Sequence, residues 1–193
     1  MAQIKILAFA GSLRKDSYNK KLVKVAVEGA RSAGAEVTLI DLKEFPLPVY
    51  DEDLETTQGL PAEAKKLKTL FLQHQGLLIA SPEYNSSIPG GLKNMIDWVS
   101  RAETKEEPPL ACFNKKVAAI LSASPGGLGG MRALVPLRAM LENIGVLVLP
   151  GQVAISRAHE AFDANGILKD AKQDAAVRSL SAELAKILSK LTL

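Results

Sequence analysis

The stretch Leu77-Leu78-Ile79-Ala80-Ser81-Pro82-Glu83-Tyr84-Asn85-Ser86-Ser87-Ile88-Pro89-Gly90-Gly91 decides how this chain is read. Its first four residues form a short apolar run between Gly76 and a Ser-Pro pair, the pattern of a strand buried on both faces. Residues 92–100 follow with Leu92, Met95 or Ile96, and Val99 on one helical face. The unit is therefore strand, polar loop, helix. Between strand and helix lie an aromatic ring at Tyr84 and polar groups at Glu83, Asn85, Ser86 and Ser87, with Pro82 and Pro89 restricting the backbone. That composition suits a small-molecule site. The same residue types also build turns and caps, so this stretch alone leaves both roles open.

The same unit recurs in both directions from there. Residues 4–10 read as a first, central strand, 11–17 as a loop, and 18–33 as a helix with Leu22, Ala26, Ala30 and Ala33 at helical spacing. Gly34 stands where that helix should end, and 36–40 give a second strand, followed by Asp41. Residues 42–60 read as a long irregular segment with Pro46, Pro48 and an acidic cluster at Asp51, Glu52 and Asp53. Pro61 opens a second helix that places Ala64, Leu67, Phe71 and His74 on one face, with His74 in its last turn. Beyond the third helix, a polar connection over 101–116 leads to a fourth strand at 117–121. A fourth helix over 131–144 carries Pro136 in its first turns. A fifth strand begins at 146–149, is interrupted by Pro150-Gly151 and resumes at 153–155, and a last helix spans about 169–191. Strand followed by helix, five times over, predicts a parallel sheet covered on both faces within one domain, 1–193.

Composition narrows the class. With 47% apolar and 23% charged residues, the chain reads as an ordinary soluble globular protein. No apolar run approaches the roughly 20 residues of a membrane-spanning helix. Met1 leads straight into a strand pattern, so no secretory signal is expected. One cysteine, Cys112, rules out an internal disulfide and fits a reducing cytoplasm; it has no activating base in its neighbourhood and reads as filler. The net charge of +3 comes from lysines interspersed with acids, as in Glu63-Ala64-Lys65-Lys66, which is a solvated face and not a nucleic-acid patch. Two histidines, His74 and His159, cannot supply a histidine-rich metal site.

In an open parallel sheet, the loops that follow strands share one edge, and ligands bind there. The loops after strands one, three and four are the richest in polar residues and glycine. In the first, Gly11-Ser12-Leu13-Arg14-Lys15-Asp16-Ser17-Tyr18-Asn19 runs into a helix N-terminus, where free N–H groups and the dipole favour phosphate. Ser12, Ser17 and Asn19 offer donors to phosphate oxygens and Arg14 a guanidinium, while Ser17 or Asn19 also fits a helix cap. Neither a Walker motif nor a dinucleotide glycine fingerprint is present, and Asp41, where a ribose-binding acid would stand, reads as a strand-end residue. In the third loop, Ser122-Ala123-Ser124-Pro125-Gly126-Gly127-Leu128-Gly129-Gly130 either lets the backbone approach a flat ligand or acts as a hinge. A phosphate at one end and a flat ring at the other describe a mononucleotide such as FMN.

Three motifs in this order resemble the NAD(P)H-dependent FMN reductase family, the flavodoxin-like quinone, chromate and azo-dye reductases. They are Gly-Ser-Leu-Arg-x-x-Ser-x-Asn at 11–19, Pro-Glu-Tyr-Asn-x-Ser-x-Pro-Gly at 82–90 with Leu92-Lys93-Asn94 and Ile96-Asp97-Trp98, and Ser-Pro-Gly-Gly-x-Gly-Gly at 124–130. The resemblance implies a flavodoxin-like three-layer α/β sandwich with a five-stranded parallel sheet of order 2-1-3-4-5. It implies that Ser12, Arg14, Ser17 and Asn19 hold the FMN phosphate. Pro82, Glu83, Tyr84, Asn85 and Ser86 would line the ribityl chain and ring, and Ser124, Gly126 and Gly127 would complete the ring's other edge. It further implies ping-pong hydride transfer from NADPH or NADH through flavin N5 to a small acceptor such as a quinone, azo dye, chromate or free flavin. A homodimer or homotetramer is expected, with the flavin near a subunit interface and the helix of Trp98 and Arg101 as an interface element. A flavodoxin-type electron carrier is the alternative, and the net charge of +3 argues against it.

Overall fold

The computed structural model describes residues 3–191. Five strands, β1 Lys5–Ala10, β2 Glu36–Asp41, β3 Gly76–Ala80, β4 Val117–Ala123 and β5 Leu147–Ile155, form one parallel sheet in the order β2-β1-β3-β4-β5. The central strands are apolar on both faces because both faces are covered. Ile6, Ala8 and Ala10 of β1 join one core with residues of helices α1 (Tyr18–Ser32) and α7 (Ala171–Lys190). Leu7 and Phe9 face the opposite core, built with α3 (Ala62–Gln73), α4 (Gly90–Ser100) and α5 (Met131–Asn143). Three layers result, as the alternation of β–α units requires. α1 and α7 touch closely because Gly29 has no side chain: a Cβ there would stand 2.6 Å from the Arg178 backbone.

Two segments differ from the sequence expectation. Residues 42–60 are not irregular throughout: they hold a 3-10 turn, Leu42–Glu44, and a helix, α2, Glu52–Gln58. Asp51 caps α2 by accepting the N–H groups of Asp53 and Leu54, but no residue of α2 is buried, so no apolar stripe marks it in the sequence. The segment is instead tied down by α4. The Trp98 indole N–H donates to the Pro48 carbonyl at 2.8 Å, Arg101 pairs with Glu55 at 2.9 Å, and Tyr50 packs edge-on against Trp98 at 5.0 Å. Trp98 is fully buried, so it belongs to the core of its own chain.

Strand β5 also runs through Pro150-Gly151 without a break. Its ladder to β4 slips there, with Ala118 opposite Val148 and Ile120 opposite Gln152. A bulge on an edge strand absorbs a residue that cannot donate to a ladder. A short helix, α6, Ala158–Ala161, follows directly. His74 ends α3 as its C-cap, with its ring between the Leu70 carbonyl at 2.6 Å and the Thr38 hydroxyl at 2.8 Å.

Lys116 precedes β4 and is buried, its ammonium donating to the His74 carbonyl. Desolvation lowers its pKa to about 8, against a small opposing effect of Cys112. In the unfolded chain the same lysine titrates near ~10.4. Between those values the unfolded chain holds a proton that the folded chain has released, so this group makes stability rise with pH. Below about 8 its cost is fully present. Urea unfolding of the wild type and Lys116→Met at pH 7.5 and 9.5 checks this. The wild type should gain on the order of 2 kcal/mol relative to the variant across that interval. An unchanged difference would refute the shift.

Candidate functional site

The loops after β1, β3 and β4 leave the same edge of the sheet, and hydrogen bonds bind them into one surface. The ladder continues past the strand ends: Gly11 N–H donates to the Ala80 carbonyl at 2.9 Å and Ser81 N–H to the Leu121 carbonyl at 2.8 Å. Asn19, in the first turn of α1, locks the first loop to the third. Its side-chain amide donates to the Ala123 carbonyl and accepts the Ala123 N–H, both at 2.9 Å, and it is buried. One amide N–H of Asn19 is left for a ligand. Glu83 similarly ties the middle loop to α5, accepting the Arg132 N–H at 3.1 Å and pairing with the Arg132 guanidinium at 2.5 Å.

The first loop presents the N-terminus of α1. Ser17 caps it by accepting the Asn19 N–H at 3.2 Å, and buried Ser12 accepts the Arg14 N–H at 3.3 Å. Both serines keep a hydroxyl proton to donate, so capping and anion binding are compatible here. With Arg14 and Lys15 beside the positive end of the α1 dipole and the hydroxyls of Ser12 and Ser17, the loop is an anion seat.

The middle loop folds back on itself. Tyr84 and Ser87 exchange backbone hydrogen bonds at 3.0 and 3.1 Å around Asn85 at φ 52° and Ser86 at φ 63°. Two successive left-handed residues make a type I′ turn, which favours asparagine and tolerates serine at a cost of about 1–2 kcal/mol. The turn holds the Tyr84 ring out from the sheet, 45% exposed. Arg14, Tyr84, Leu13 and Pro89–Gly91 border a cleft of about 270 Å³. An apolar cavity of about 360 Å³ lies on the far side of Leu13 and Gly91, lined by Leu42, Phe45, Leu47 and Met95.

The glycines of the third loop divide into two kinds. Gly129 and Gly130 have φ of +63° and +86°, and a Cβ on Gly129 would stand 2.8 Å from the backbone carbon of Ile155. Those two are required by the chain itself. Gly126 and Gly127 have no left-handed φ; a Cβ on Gly127 would meet no atom within 4 Å, and one on Gly126 only Ser124 Oγ at 3.7 Å. Gly90, at the start of α4, is equally open. Neither backbone nor packing explains these glycines. A flat group lying against the loop would. The loop is meanwhile held in shape: Ser124 accepts the Gly126 N–H at 3.2 Å, Arg157 N–H donates to the Gly126 carbonyl at 3.3 Å, and Ala158 N–H donates to Ser124 at 3.0 Å. It is not built as a free hinge.

All three sequence-read loops thus converge, with Ser12, Arg14 and Ser17 at one end, Tyr84 between, and Ser124, Gly126 and Gly127 at the other. Asn19 and Glu83 act first as braces. Arg132 escaped the sequence reading, although an arginine in a helix's first turn opposes the dipole and so signals a carboxylate partner. Cys112 is wholly buried, and desolvation raises its thiol pKa despite Lys68 beside it, so it is no nucleophile. Among the described residues no cluster of three metal-ligating side chains exists and no helix is long and apolar enough to cross a membrane.

The chain matches the family of NADPH-dependent FMN reductases over residues 4–160. It is similar to an NAD(P)H-dependent FMN reductase of Pseudomonas aeruginosa, 41% identical over 88% of this chain and 86% of that protein. It is also similar to a quinone reductase of Escherichia coli, 35% identical over 76% of this chain and 74% of that protein. Among solved structures, the flavoenzyme NAD(P)H:(acceptor) oxidoreductase of Paracoccus denitrificans superposes with a TM-score of 0.78 at 29% identity, covering 97% of this chain and 98% of that one.

Proposed function

This chain belongs to the NADPH-dependent FMN reductase family, and we propose that it binds FMN across its three loops and uses NAD(P)H to reduce a small acceptor such as a quinone. The observation that carries this is the pair of open glycines, Gly126 and Gly127, in the loop after β4, on the same sheet edge as the anion seat after β1 and the Tyr84 turn after β3. The residues fit the group: a dianionic phosphate matches the N-terminus of α1, and a planar ring matches bare backbone.

In this reading Ser12, Ser17 and the spare N–H of Asn19 donate to phosphate oxygens, with Arg14 supplying charge. Pro82, Glu83, Tyr84, Asn85 and Ser86 line the middle of the cofactor. Glu83 does so with its carboxylate turned onto Arg132, which keeps an unpaired negative charge away from the ring. Ser124 holds the Gly126 amide in place, and the backbone there bears on the ring edge. FMN, when bound, supplies the two-electron chemistry, taking hydride from NAD(P)H and giving reducing equivalents to the acceptor. The chain's part is to orient the ring, leave one face open for each substrate in turn, and shield the other from water. Exposed Tyr84, Leu128, Met131 and Val135 give the ring end an apolar rim, which a second copy in a homodimer or homotetramer would cover.

Steady-state oxidation of NADPH with a benzoquinone tests the proposal. Parallel double-reciprocal lines and complete dependence on FMN are expected. Activity in flavin-free protein, or intersecting lines with FMN present, would overturn it.

A further inference from the structure

The apolar cavity of about 360 Å³ adjoins the cleft of Arg14 and Tyr84. Its walls are Leu42, Phe45 and Leu47, from the segment after β2, and Met95 of α4. Protein interiors pack with few voids larger than a water molecule, so apolar walls around a space of this size need a reason. The walls are held in place. Asn94 accepts the Tyr50 N–H and donates to the Pro48 carbonyl, both at 2.8 Å, and Trp98 donates to the same carbonyl at 2.8 Å. Those bonds tie the segment to α4. The lining has two polar side chains: Asn94, whose amide is engaged in this way, and exposed Lys43. Met95 is unbranched and adapts to irregular shapes.

Leu13 and Gly91 border both the cavity and the cleft. A Cβ on Gly91 would stand 3.0 Å from Leu13 Cδ1, so the glycine is what lets Leu13 lie against α4 there. The border between the two spaces is thus apolar, while Arg14 lines only the cleft.

We propose that this cavity seats the alkyl or prenyl tail of a quinone whose ring is reduced in the neighbouring cleft, so that the chain prefers apolar-tailed quinones to bare ones. The inference rests on the reductase reading of the three loops and adds the substrate class. A nucleotide or other anion fits the cavity poorly, because Lys43 is its one charged wall residue and the apolar remainder would strip hydration without replacing it. At about 360 Å³ the cavity is near the small end of ligand pockets, which suits a short tail. Over one turnover NAD(P)H and a proton convert the quinone to its hydroquinone and leave NAD(P)+. No bond of the tail forms or breaks.

The test is kcat/KM of the FMN-loaded protein for 2-alkyl-1,4-benzoquinones from methyl to hexyl. In the wild type it should rise up to about fourfold per added methylene, the ~0.8 kcal/mol of one buried CH2, and level off once the cavity is full. Leu47→Glu should cut the pentyl-to-methyl ratio at least about tenfold, and Met95→Phe should make the series level off at a shorter chain. A series that is flat in the wild type, or equally steep in Leu47→Glu, would overturn the assignment while leaving quinone reduction standing. Calorimetric titration with 4-alkylresorcinols supplies a readout independent of turnover and of the variants' folding. These carry a ring and tail but form no quinone. Their affinity for the wild type, with and without FMN, should rise with chain length, with an increasingly negative heat-capacity change. Resorcinol affinity independent of chain length would also overturn the tail site. If the resorcinols behave as expected but no quinone is reduced, the reductase reading fails and the substrate assignment falls with it.

Discussion

Replacing Gly127 by valine is expected to leave the protein folded and to remove its flavin. A Cβ at 127 meets no protein atom within 4 Å and no left-handed φ, so unfolding free energy should change by less than about 0.5 kcal/mol. The same isopropyl group would occupy the space that a ring lying on the loop requires. Overpacking against a rigid partner typically costs about 1–3 kcal/mol, and here it would also tilt the ring away from its other contacts. A loss of FMN affinity of roughly a hundredfold follows, since about 2.7 kcal/mol corresponds to that factor. Gly129→Val makes the contrast. With φ at +63° and backbone 2.8 Å from the new Cβ, it should destabilise the apoprotein itself. Urea unfolding in the absence of flavin, together with FMN titration, reads both effects. If Gly127→Val binds FMN as the wild type does, the ring does not lie on this loop.

Asn19→Leu is expected to act through the fold. Leucine keeps the volume but orphans the buried N–H and carbonyl of Ala123, which Asn19 now satisfies at 2.9 Å each. An unsatisfied buried group costs about 1–3 kcal/mol, so the pair should cost roughly 2–5 kcal/mol. For a chain of this size that lowers the melting temperature by roughly 5–15 °C. Because the same contact holds the phosphate end against the ring end, flavin affinity should fall in the variant even at temperatures where it remains folded. A variant as stable as the wild type would mean that the two loops are held together by something other than this amide.

Most of the fold was legible because its strands announce themselves. The run Leu77-Leu78-Ile79-Ala80 and its counterparts at β1 and β4 are buried on both faces and carry no polar residue until the strand ends. The helices behind them show clear stripes, as in Leu22, Ala26 and Ala30. What escaped is held by contacts distant in sequence. Helix α2 carries no buried residue and depends on Arg101, forty-six positions from Glu55. Pro150 reads as a break because proline cannot join a ladder, yet an edge bulge accommodates it. In the site, residue types and spacing were enough to name the three loops. They were not enough to separate Gly126 and Gly127 from Gly129 and Gly130, which look alike in the sequence and differ only in φ and in what surrounds them. Nor did they show that Glu83 would turn to Arg132, or that Leu42, Phe45 and Met95 would enclose a cavity.

The most direct test is anaerobic reduction of the FMN-loaded protein by NADPH, followed in a stopped-flow spectrophotometer. The flavin bands near ~370 and ~450 nm should bleach on mixing and return when a quinone is added. Protein that binds FMN but keeps its colour with both NADPH and NADH would contradict a reductase and identify a carrier reduced by another protein.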